Sequence, residues 1–146
     1  MIQATQHASV LWDGTLGAGS GDLTLGDGAT GALPVSWASR TGHAKGKTSP
    51  EELLAAAHAS CFAMAFAHTL EERGAPPQQL SVAADCTFEQ TADGFKVSRV
   101  ALTAEGMVAG ITEEQFADAA RAAELFCPIS NALRGNVDIT LTARLI

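Results

Sequence analysis

The sequence predicts an α+β fold in which antiparallel sheets wrap around one long, buried central helix. Three features carry that expectation. Short strand-like runs crowd residues 1–48, residues 49–74 (SPEELLAAAHASCFAMAFAHTLEERG) form a helix with almost no polar face, and two alternating segments then pair as a hairpin before further helices and a closing strand. Strands grouped apart from helices are the pattern of an α+β domain rather than of alternating βαβ units.

Each element has its own local signal. The runs ASVLW, DLTL and ALPVSWAS read as strands of a meander, with turns at Gly14, Gly19, Gly21, Gly26 and Gly28. Residues 40–47 (RTGHAKGK) read as a polar loop. Ser49 has the chemistry of an N-cap, Pro50 suits the first helical position, and Glu52 completes a capping box. Arg73 and Gly74 supply a basic last turn and a C-cap, and Pro76-Pro77 stops continuation, so the helix runs for about 23 residues. LSVAADCTFEQ and FKVSRVALTAEG alternate in polarity and are joined by TADG, a hairpin signal at Asp93-Gly94. Residues 112–124 form an amphipathic helix capped by Thr112, with Phe116, Ala119, Ala120 and Ala123 on its buried side. CPISNALRG gives a short third helix ending at Gly135, and NVDITLTARLI closes the chain as a strand.

Composition narrows the function classes. The 146 residues are 47% hydrophobic and 17% charged, which is globular, and no linker or internal repeat divides them, so residues 1–146 read as a single domain. Nine basic against sixteen acidic residues give a net charge of -7, which argues against a nucleic-acid partner. Leu53–Leu70 is the one stretch apolar enough to suggest a membrane span. Its alanine content, His58, Ser60 and His68, and the charges flanking it favour burial in protein over burial in lipid. The stretch MIQATQHASVLWDG has neither a basic start nor an apolar run, so no secretory signal is read there. Three cysteines without export fit a reducing compartment, and the expected location is cytoplasmic.

Cys61 and Cys127 are the residues most suited to chemistry. Cys127 precedes Pro128 at the start of a short helix, where unpaired N–H groups favour a thiolate. Cys61 lies among alanines and phenylalanines, which raise a thiol pKa, so its activation needs positive charge from another element. Arg40, at the end of the apolar run PVSWAS, is the candidate for that charge, and Glu51 is the candidate to orient it. Glu51 lies ten residues before Cys61, a rise of roughly 15 Å, so along one straight helix the carboxylate cannot reach that sulfur. Taken singly, each has an ordinary explanation: core packing for Cys61, small size for Cys127, a first-turn acid for Glu51, a solvent charge for Arg40. His43, His58 and His68 lack metal-ligand spacing; His58 and Cys61 share a helix face at i, i+3, but a third ligand would have to come from elsewhere. Cys86 has Asp85 as its charged neighbour and reads as structural.

SPEELLAAAHASCFAMA followed by LFCPIS resembles the OsmC/Ohr family of thiol-dependent peroxidases, most closely its OsmC branch, and the likeness covers essentially the whole chain. The resemblance implies that Cys61 is the peroxidatic cysteine, Cys127 the resolving cysteine and their disulfide the oxidised product. It further implies that Arg40 lowers the Cys61 pKa, that Glu51 orients Arg40, and that Phe62, Met64, Phe66 and Phe126 line a pocket preferring organic hydroperoxides to hydrogen peroxide. The partners implied are a hydroperoxide substrate, an external dithiol or thiol-protein reductant, and a second copy of the chain in an intertwined homodimer, with no cofactor and no metal. An all-round apolar helix in so short a chain gives a separate reason for the dimer, because one small sheet covers one face. The sequence leaves open whether Arg40 and Glu51 act within one chain or across the interface. Two other functions remain: a hot-dog thioesterase activating water through Glu51 or Glu52, and a non-enzymatic small-molecule or lipid-binding dimer.

Overall fold

A computed structural model describes residues 1–42 and 45–146; His43 and Ala44, part of the expected polar loop, lie outside the described residues. The chain forms two compact units, Met1–Pro50 and Glu51–Ile146.

In the first unit, β1 (Ala8–Asp13), β2 (Ser20–Leu25) and β3 (Leu33–Val35) form an antiparallel sheet in that order, the meander the sequence predicts. Two local expectations fail there. Gly21 is not a turn residue but lies inside β2, where an added Cβ would come within 2.9 Å of the Trp12 ring and 3.0 Å of Val35. The run ALPVSWAS is not one strand either: β3 ends at Val35 and α1 (Trp37–Thr41) begins at once. The cause is a reciprocal cap. Ser39 N–H donates to Ser36 Oγ at 3.1 Å and Ser36 N–H donates to Ser39 Oγ at 2.9 Å, which satisfies the first-turn donors and starts a helix.

The second unit is built on α2 (Pro50–Glu72), which starts at the proline and has the predicted length of 23 residues. Its end is a Schellman motif: Gly74 N–H donates to Glu71 O and Ala75 N–H to Leu70 O, both at 2.9 Å, with Gly74 at φ 75°. Then β4 (Gln79–Thr91) turns tightly into β5 (Gly94–Met107), pairing Thr91 with Gly94 as an antiparallel hairpin. After α3 (Glu113–Phe126) and α4 (Pro128–Leu133), β6 (Asp138–Leu145) joins the far side of β5. That last pairing is parallel, so this sheet is mixed rather than wholly antiparallel. Two helices in the connection carry the chain back to the starting end of β5, which a tight hairpin cannot do.

One hydrophobic core joins these elements. Phe62, Phe66 and Leu70 from one face of α2 meet Val100, Leu102 and Ala104 of β5 and Phe116, Ala119, Ala120 and Ala123 of α3. The four α3 residues are the ones its periodicity assigns to the buried side, and each is fully buried. Phe66 stands at the centre, with ring centroids 5.5 Å from Phe62 and 4.8 Å from Phe116. Such pairs contribute about 0.5–1.5 kcal/mol each beyond the area they bury. The opposite face of α2, along Ala56, Ser60 and Met64, is exposed in the single chain.

The core leaves no room for a side chain at Gly106. A Cβ there would lie 2.6 Å from the Phe116 ring and 2.9 Å from Leu80. Gly106→Ala is therefore expected to destabilise the protein by about 1–3 kcal/mol through overpacking. A urea midpoint equal to that of the wild type would show that Phe116 can retreat at no cost.

Candidate active site

Cys127 joins two helices. As the C-cap of α3 its N–H donates to the carbonyls of Ala123 at 2.9 Å and Glu124 at 3.3 Å, and as the N-cap of α4 its sulfur accepts from Ser130 N–H at 3.5 Å. Pro128 then takes the first position of α4, where the missing N–H costs nothing. This double cap aims a fully buried sulfur at the middle of α2, where Cys127 Sγ donates to Cys61 Sγ at 3.3 Å. A disulfide needs an S–S separation of about 2.05 Å, so the two sulfurs are one small movement from bonding.

Cys61 is only half-buried. Burial pushes its thiol pKa up, a backbone hydrogen bond from Ile129 pulls it back, and the neighbouring Cys127 pushes it up again. None of these influences is a cation, so among the described residues the thiol's surroundings raise its pKa on balance. Cys86, on β4, is also half-buried, and its pKa is raised by burial and then by the carboxylate of Glu51. The sequence shows Asp85 as its charged neighbour; the fold brings Glu51 from the first turn of α2 to bear on it instead.

Glu51 is 6% exposed at the start of α2, a rise of roughly 15 Å from Cys61. Arg40 belongs to the first unit and sits in the last turn of α1, not at a strand end as its sequence context suggests. Several other arginines are held by carboxylates: Arg73 by Asp118 at 2.9 Å, Arg134 by Glu124 at 2.9 Å and Arg144 by Glu105 at 2.7 Å.

A cavity of about 620 Å³ opens beside Cys61, lined by Met64, Ala65, Phe126 and Pro128 and also by Arg73. That volume lies within the usual range for small-molecule sites. Met64 and Phe126 face it as expected. Phe62 and Phe66 do not, because their positions on α2 point into the core, where both are fully buried.

One pair at the site is not foreseen from the sequence. His58 Nε2 lies 2.6 Å from Ser130 Oγ, and both residues are fully buried. His58 thus has its Nε2 atom engaged by a hydroxyl from α4. Its pKa is lowered by burial, with Glu124 acting weakly in the opposite direction. The signal was present in the spacing: residues 58 and 61 on α2, and Cys127 at the N-cap of α4 with Ser130 in its first turn, are both i, i+3 pairs.

Two sulfurs 3.3 Å apart, one buried and one beside an apolar cavity, have the geometry that a dithiol redox site would need, in an α+β protein. The match to known proteins is specific. The model of the OsmC-like protein family fits residues 42–142, and the chain belongs to this OsmC/Ohr family. It is 33% identical over 128 residues to peroxiredoxin OsmC of Escherichia coli strain K12, covering 88% of this chain and 89% of that protein. Among solved structures, an organic hydroperoxide resistance protein from Elizabethkingia anophelis superposes with a TM-score of 0.80 at 26% identity, covering 99% of each chain. An OsmC organic hydroperoxide resistance protein from Legionella pneumophila does so with a TM-score of 0.76 at 28% identity, again over 99% of each.

The buried His58 makes a pH prediction. Below about pH 6.5 the unfolded chain takes up a proton on this ring that the fold resists, so the folded state binds fewer protons and stability falls with falling pH. Above that value the ring is neutral in both states and contributes no slope. His58→Gln is thus expected to lose less stability than the wild type between about pH 7.5 and about pH 5.5. Urea midpoints measured across that range give the answer, and parallel curves would count against a buried neutral histidine.

Proposed function

We propose that this thiol-dependent peroxidase reduces organic hydroperoxides, and hydrogen peroxide less well, through a Cys61 sulfenic acid and a Cys61–Cys127 disulfide. The observation that carries this is the 3.3 Å sulfur pair beside an apolar cavity bordered by Met64 and Phe126. The Cys61 thiolate attacks one peroxide oxygen, the O–O bond breaks, and the alkoxide leaves and takes a proton to become the alcohol. Cys61 is now a sulfenic acid. The Cys127 sulfur displaces hydroxide from it, water forms, and the two sulfurs are bonded. An external dithiol or thiol protein reduces that disulfide and restores both thiols. The redox chemistry is carried by sulfur, so no cofactor or metal enters the scheme. The apolar lining favours alkyl chains because their burial releases them from water.

Arg40 supplies the positive charge that a raised Cys61 pKa demands, stabilising both the thiolate and the charge that develops on the peroxide oxygens. Glu51 orients Arg40. The chain acts as one domain and as an obligate homodimer, supported by the exposed Ala56, Ser60 and Met64 face of α2, which a second copy would cover. The site is shared, with Arg40 and Glu51 of one subunit serving Cys61 of the other; the rise of roughly 15 Å between Glu51 and Cys61 on one helix supports this. The working location is the cytoplasm, where thiol reductants are available.

Counting thiols tests the chemistry. The reduced protein has three cysteines, and one equivalent of cumene hydroperoxide is expected to remove two thiols, leaving Cys86 free. Cys61→Ser should lose none and consume no peroxide. Cys127→Ser should lose one and carry a dimedone adduct on Cys61. Retention of all thiols by the wild type would sink the peroxidase mechanism, and dimedone on Cys127 in an active Cys61→Ser protein would reverse the two roles.

The shared site has its own test. Arg40→Ala is expected to raise the Cys61 titration, followed by thiolate absorbance against pH, and to slow peroxide attack more than it weakens the fold. Inactive Cys61→Ser and inactive Arg40→Ala chains, refolded together, should regain activity, since one site of each mixed dimer is intact. Mixed dimers without activity would place both residues in one subunit.

A further inference from the structure

We propose that His58 and Ser130 form a positioning pair that holds the first turn of α4 against α2 and so sets how readily Cys127 closes on Cys61. The inference rests on the dithiol mechanism above and adds to it two residues that touch neither substrate nor the reacting atoms through their side chains. Two rungs connect the helices. One is Cys61 to Cys127 at 3.3 Å, and the other is His58 to Ser130 at 2.6 Å, one helical turn away on both helices. The first rung changes chemically in every cycle, and the second is a fixed hydrogen bond beside it.

The length of α4 makes such a fixture necessary. A helix of six residues cannot hold its own conformation in water, so contacts must place it. At its far end Arg134 Nη2 donates to Glu124 Oε1 at 2.9 Å and to Glu124 O at 3.2 Å, which ties it to α3. At the sulfur end the side-chain bond across to α2 is His58–Ser130. Ser130 is also the residue whose N–H reaches Cys127 Sγ at 3.5 Å, and a backbone hydrogen bond from the adjacent Ile129 bears on Cys61. Holding Ser130 therefore holds the backbone donors that serve both sulfurs.

Burial sharpens the point. His58 and Ser130 are both 0% exposed, and His58 Nδ1 has no hydrogen-bond partner among the described residues. Polar atoms in a core cost more than apolar side chains of the same size, and an unfilled one costs most. A leucine and an alanine would bury at lower cost. What they would not provide is direction: a bond of 2.6 Å fixes the rotation and height of α4 on α2, whereas apolar contact tolerates sliding.

Resolution against trapping is the deciding measurement. Reduced wild type, Ser130→Ala, and the double variant His58→Leu/Ser130→Ala receive one equivalent of cumene hydroperoxide in the presence of dimedone. Mass spectrometry then reports the ratio of Cys61 adduct to Cys61–Cys127 disulfide. The double variant leaves no unpaired polar atom at this position, so it keeps its fold even if Ser130→Ala does not. We expect the adduct-to-disulfide ratio to rise at least tenfold in both, and His58→Gln, which can still bond Ser130, to return it toward the wild-type value. A second readout needs no peroxide: in dithiothreitol redox buffers the Cys61–Cys127 disulfide of the double variant should be at least tenfold easier to reduce, a shift of about 30 mV. A folded double variant with the wild-type ratio and the wild-type disulfide equilibrium overturns the positioning pair while leaving the peroxidase intact. A wild type that forms neither adduct nor disulfide overturns the mechanism itself.

Discussion

The packing of Phe66 between Phe62 and Phe116 is the contact from which the geometry of the site follows. It locks α3 onto α2 through rings 4.8 Å apart, with the alanines at 119, 120 and 123 letting the helix lie close to the core. Once α3 is placed, its C-terminus is placed, and the residue standing there is Cys127. Three turns of helix separate Phe116 from that cysteine, so a small rotation of α3 about the core would swing the sulfur by several ångströms. Close-packed cores resist such rotation because any shift opens voids on one side and clashes on the other. Gly106, with no room for a Cβ beneath Phe116, shows how little slack remains.

The two sulfurs gain different properties from this one arrangement. Cys127 is sealed and capped, while Cys61 borders a cavity of about 620 Å³ through which a substrate can approach. Under the proposed mechanism the attacking thiol would have to meet its oxidant and the resolving thiol only its partner, which is the division this unequal exposure supports. The cost of the apolar setting is a raised Cys61 pKa. The proposed guanidinium would offset that cost without exposing the thiol to water, since a fixed charge needs no reorganisation. The Cys86 pKa is raised by burial as that of Cys61 is, and by the Glu51 carboxylate in addition.

Much of this was legible along the chain because the signals that set element boundaries act over a few residues. Pro50 and Gly74 delimit α2, Thr112 starts α3, and Asp93-Gly94 turns β4 into β5; the caps at Gly74 and Thr112 and the hairpin turn find their partners within a few residues. The same range also explains a miss. The Ser36–Ser39 cap is local, yet the apolar run around it has strand periodicity, and in that competition satisfied N–H groups prevailed. Cys61 and Cys127 could be singled out by residue type and by likeness to a family, and their 3.3 Å approach was then an expectation with no local signal behind it.

The sequence by itself determined where α2 begins and ends, where the hairpin turns, which face of α3 is buried, and which two cysteines carry the family's pattern. Only the tertiary structure decided that Phe62 and Phe66 point away from the cavity, that β6 joins β5 in parallel, and that Glu51 bears on Cys86. The same holds for His58 and Ser130, partners 72 positions apart in sequence. The parallel pairing of β6 follows from the two-helix connection before it, and the other three share one physical reason. An almost uniformly apolar helix carries no polar stripe to orient it, so which side of α2 faces the sheet is settled by the shapes that pack against it, and those come from distant parts of the chain.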